Sequence, residues 1–112
     1  LEPFNLNPQE KAEAYMRKSD ELYIKVLAAK AKISRWRLRE ISRRAQIKQE
    51  WNRLEGPRAH VLRTLENAAD LAHDERLSER DRLKTLIRSW RGAKLNATIQ
   101  YEEAEGRVHD ES

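Results

Sequence analysis

The sequence predicts an all-α fold: a long N-terminal helix with two shorter helices folding back, as a three-helix bundle or a helical hairpin of coiled-coil type. Three observations predict it. Breakers are scarce, with three Gly and three Pro in 112 residues against 38% charged residues, a balance that suits long helices. Most of those breakers stand at the edges of periodic stretches. Apolar residues recur at helical rather than alternating spacing.

The elements follow in order. Residues 1–7 form a lead. In "NPQE", Asn7–Glu10, Asn7 suits an N-cap, Pro8 the first helical position and Glu10 the acid of a capping box. Helix one therefore runs from about Pro8 to Glu55. In "EGP", Glu55–Pro57, Gly56 stops it in a left-handed conformation and Pro57 opens helix two, which extends to about Asp74. "SERD", Ser78–Asp81, is a third start, with Ser78 capping and an acid three residues on. Helix three then spans about Glu79 to Glu105. Gly106 closes it, and residues 106–112 are expected as a flexible tail after a single helical domain, 8–105. Leu1 stands where an initiator Met would, which reads as the start of a processed or excised piece.

Helix one would be roughly 70 Å long at 1.5 Å per residue. Two shorter helices cannot both cover that length in a compact monomer. The helix is expected either to break, near Ser34 or Ser42, or to protrude toward a partner. Gly92 offers a similar break in helix three.

At 100° per residue, helix one is apolar on two sides. Ile24, Leu27, Ala31, Leu38, Ile41 and Ala45 share one side. Tyr15, Leu22, Val26, Ala29, Ile33, Trp36, Ile47, Trp51 and Leu54 cluster roughly opposite. An ordinary surface helix has one stripe. Helix two shows one seam, Val61, Leu65, Ala68 and Ala72, with Leu62 and Ala69 beside it. Helix three shows Leu83, Leu86, Ile87, Trp90, Ala97, Tyr101 and Ala104. Either two one-sided helices sandwich the two-sided one, or its second face meets another chain.

The net charge is concentrated rather than large. The net charge is +4, but residues 30–48 hold eight bases and one acid, Glu40. Lys25, Lys32, Arg39 and Arg43 line one edge between the apolar faces, and Lys30, Arg37 and Arg44 the other. Like charges at i,i+4 destabilise a helix by a few tenths of a kcal/mol each. An acidic surface would relieve this, supplied by Glu66, Asp70 and Asp74, by Glu102, Glu103 and Glu105, or by a partner. Arg and Lys stems can also simply cover apolar edges.

These features lead to a non-catalytic helical protein-interaction or assembly module, docking an acidic partner surface or forming a homo-oligomer through helix one. Ile33 and Trp36 would anchor the contact; Arg35, Arg37, Arg39, Arg43 and Arg44 would steer and orient it. The alternative is nucleic-acid binding, to DNA or RNA, through Lys30, Lys32, Arg39, Arg43, Arg44 and Lys48 with Arg88 and Arg91 of helix three. "LREISRRAQIKQEWNRLEG" has the cadence of a helix-turn-helix. Gln46 occupies the turn position that favours Gly, however, and Trp51 arrives one residue early, so a continuous helix is expected.

Other functions find little support. Two opposed apolar faces argue against lying flat on a membrane, and no apolar run is long enough to span one. His60, His73 and His109 form no i,i+3 or i,i+4 metal-ligating pair. No Ser or Thr sits in a glycine-framed nucleophile turn, and no Gly-rich loop cradles a phosphate. No catalytic residue, metal, cofactor or small-molecule substrate is expected. The lack of Cys fits a reducing, intracellular compartment.

Overall fold

A computed structural model describes residues 6–53 and 58–106. It is all-α, with two long helices packing: α1, Pro8–Trp51, and α2, Ala59–Ala104. The expected third helix is not a separate element. The stop near Asp74 and the restart at Ser78 are both absent, and Ser78 lies exposed inside α2.

The α1 start is fixed by local chemistry. Asn7 Oδ1 accepts from the Glu10 amide at 2.8 Å, satisfying a donor that a helix start leaves free, and the Asn7 carbonyl accepts the first helical bond from the Lys11 amide at 2.9 Å. α1 continues through Ser34, Ser42 and Gln46, so neither the expected break nor a helix-turn-helix occurs there. At its end the Arg58 guanidinium donates to the carbonyls of Glu50 at 2.9 Å and Trp51 at 2.8 Å, and to that of Arg53. A cation there serves both the free carbonyls and the negative end of the helix dipole. Gly56 and Pro57, expected as stop and restart, lie outside the described residues, as does the tail 107–112. α2 ends where Gly106 adopts φ 77° and donates to the Glu103 carbonyl at 3.0 Å.

Both helices carry an inward seam with alternating spacings of three and four, the signature of helix-on-helix packing. The chain forms two compact units, one from Leu1–Leu27 with Lys84–Ser112 and one from Ala28–Leu83. In the first, Ala12, Ser19, Leu22 and Val26 of α1 are buried, as are Ala93 and Ala97 of α2. Tyr23 and Trp90 meet there at 5.2 Å between ring centroids. In the second, Ala29 of α1 is buried together with Leu62, Ala69, Ala72 and Glu79 of α2. Its cross-contacts run antiparallel: Lys32 with Glu79, Glu40 with Arg76 and His73, Arg44 with Asp70.

Small residues dominate these seams. Among the described residues, six of the nine buried hydrophobic ones are Ala, and no large side chain falls below 2% exposure. Alanine lets helices approach closely but removes little apolar surface, and stabilisation scales with that surface at roughly 25 cal/mol per Å².

The continuity of α2 has a simple cause. Its seam passes through positions 76 and 79, which hold Arg and Glu. An apolar pattern lapses there although the helix does not. Arg76 pairs with Glu40 at 3.2 Å and Glu79 Oε1 with Lys32 at 3.0 Å, both across the pair, while the buried Glu79 Oε2 has Arg82 3.7 Å away and no hydrogen bond.

Candidate partner-docking groove

The basic run of α1 is first accommodated from within. Glu40 sits at a seam position and gathers three partners: Arg76 Nε at 3.2 Å, His73 Nδ1 at 3.1 Å and Arg44 Nε at 3.4 Å. Burial works against ionising Glu40, but hydrogen bonds and charge from Arg76 and His73 outweigh it and hold the carboxyl below the usual carboxylate range. Arg44 also lies 3.8 Å from Asp70. Of the acids that sequence reasoning nominated for the basic rows, Asp70 takes part. Glu40 and Glu79 were missed. The signal for Glu40 was available, because it is the lone acid of the run.

Three of the nominated partner residues come together in the Ala28–Leu83 unit. Trp36, Arg39 and Arg43 of α1 line a groove of about 460 Å³ with Ala68, Leu71 and Ala72 of α2. Trp36 is half-buried, and the Arg39 guanidinium carbon lies 4.7 Å from its ring centroid. Arg43 donates to Gln46 Oε1 at 2.9 Å. Among the described residues neither arginine forms an ion pair, whereas Lys32, Arg44, Arg53, Arg76 and Arg82 do. The groove thus joins an aromatic ring and an exposed Leu71 to two guanidinium groups without an ion pair among the described residues. Small Ala68 and Ala72 leave room above the seam. Such a surface can take an apolar side chain flanked by carboxylates, with the planar guanidinium groups as donors.

The other nominated residues are distributed elsewhere. Ile33 is half-buried in the seam. Lys30, Arg35, Arg37 and Lys48 are exposed outside the groove, and Lys32 is engaged with Glu79. Arg88 and Arg91 belong to the other unit, where they line a shallow hollow of about 380 Å³ with Lys84 and Ile87. Trp51, expected on the same apolar side of helix one as Trp36, is 60% exposed.

Leu71 is the groove residue that sequence reasoning overlooked. It falls outside the α2 seam, and an apolar residue out of phase was its only signal. Among the described residues no group of three His, Cys, Asp or Glu side chains could hold a metal ion, and no helix is long and apolar enough to cross a membrane. Comparison of the chain with protein-family models, curated proteins and solved structures gave no match.

Proposed function

We propose that this chain is a non-catalytic helical interaction module that docks an acidic partner surface through α1. One observation carries the reading: Trp36, Arg39 and Arg43 line an open groove with Leu71, and both arginines lack an ion pair among the described residues. Thin alanine seams support it too, since a module with little buried apolar surface gains from a partner that covers more. Trp36 would anchor the contact, and the two arginines would orient it and speed encounter. An apolar lining suits a peptide better than a phosphodiester backbone, which asks for charge without a greasy wall.

The test uses protein labelled with fluorotryptophan, in which each of the three tryptophans reports separately by fluorine NMR. The probe is an acidic peptide of about eight residues with central leucines, too short to hold a helix by itself. The Trp36 resonance should shift on titration. Affinity should fall at least about tenfold in an Arg39→Glu, Arg43→Glu double variant, and Trp36→Ala should weaken binding while helicity stays largely intact. Binding of a mixed-sequence duplex or single strand, steeply salt-dependent, with no response to the peptide would replace this reading by nucleic-acid binding.

A further inference from the structure

A second surface lies on the other side of α1 and shares no residue with the groove. Within the Ala28–Leu83 unit, Ala31, Ser34, Leu38, Ile41 and Ala45 follow the three-four spacing and are all exposed. Leu38 is 67% exposed and Ile41 57%. Ile24 and Leu27, in the other unit, keep the same register along the α1 sequence and are also exposed. Between Ile24 and Ala45, α1 therefore carries two helix-packing patterns, one covered by α2 and one exposed. A three-four repeat is what a second helix requires, and a phosphate backbone does not demand that register.

The borders of this bare seam identify its occupant. Lys30 and Arg37 stand along one edge and Arg35 along the other. None of the three forms an ion pair among the described residues. A second copy of this chain fits poorly in either direction. Packed antiparallel, α1 on α1 would set the Lys30–Arg37 edge against its own duplicate. Packed parallel, it would set that edge against Arg35. Both arrangements oppose like charges, which costs stability and specificity in helix pairs.

We infer that the outward seam of α1 packs a helix from a different protein, apolar at three-four spacing and flanked by Glu or Asp. This surface is independent of the Trp36 groove, so either can fail alone.

Isothermal titration tests it with a synthetic helix of about three heptads, leucine at the seam and glutamate at the flanks, against the same helix with lysine flanks. The acidic helix should bind and weaken as salt is raised; the basic one should not. A Leu38→Gln, Ile41→Gln variant, altered only at exposed positions, should lose at least about tenfold in affinity with unchanged circular dichroism. The Arg39→Glu, Arg43→Glu variant should bind this helix within about threefold of wild type. Three outcomes would overturn the inference. The acidic helix could fail to bind. Its binding could survive Leu38→Gln, Ile41→Gln but collapse in the arginine variant, which would leave the groove as the docking site. Sedimentation could show a dimer that the Leu38, Ile41 variant returns to monomer, making the occupant a second copy.

Discussion

Glu40→Gln is the most exacting test of the packing described above. The substitution keeps the side-chain volume and removes the charge that satisfies Arg76. Exposed ion pairs contribute about 0.2–1 kcal/mol. Breaking a buried pair costs about 3–5 kcal/mol, because the surviving charge is stranded. Here the Glu40 side chain is 13% exposed and that of Arg76 22%, while the accompanying His73 is 40% and Arg44 52% exposed. The site lies between the two limits and nearer the exposed one, so a loss of about 1–2 kcal/mol is expected. At about 4–8 °C per kcal/mol for a small domain, the melting temperature should drop roughly 4–16 °C. Thermal and urea melts followed by far-UV circular dichroism measure it, with Glu66→Gln as an exposed control expected within about 0.5 kcal/mol of wild type. Replacing the pair together, Glu40→Leu with Arg76→Leu, should recover most of the loss, since an apolar pair avoids desolvating two charges. If Glu40→Gln melts like the control, Arg76 does not depend on Glu40 and the polar layer of the seam is decorative.

Three further outcomes follow from the same structure. Because the Glu40 carboxyl is held below its unfolded value, its contribution is complete above the ordinary carboxylate range and is lost as pH falls through the lower folded value; the urea midpoint should drop on acidification, and by less in Glu40→Gln. Ser78→Ala should be neutral or stabilising by a few tenths of a kcal/mol, as for any exposed interior helix position. A loss near 1 kcal/mol would mean that Ser78 caps a helix start after all. Ala69→Leu, at a residue with 0% exposure, should cost about 1–3 kcal/mol by overpacking; a gain in stability in urea melts would show that the helices do not approach closely there.

The two tests of α1 address different sides of it, and that division organises the functional reading. The bases at Arg39 and Arg43 border the groove beside the seam. Those at Lys30, Arg35 and Arg37 border the outward face. One helix therefore holds its own α2 and still exposes apolar surface bordered by bases.

Sequence alone determined the helical class, the Asn7 start, the Gly106 end and the two-sided character of α1. Each rests on chemistry within a few residues: a capping side chain, a left-handed glycine, a turn of 100° per residue. The tertiary structure decided that α2 is one helix and which face of α1 turns inward. It also decided that Trp36 and Arg43 share a groove with Leu71. Those outcomes depend on residues far apart in the chain. Arg76 and Glu79 look like an interruption until Glu40 and Lys32 are seen across from them, and Leu71 has no role until Trp36 is placed beside it.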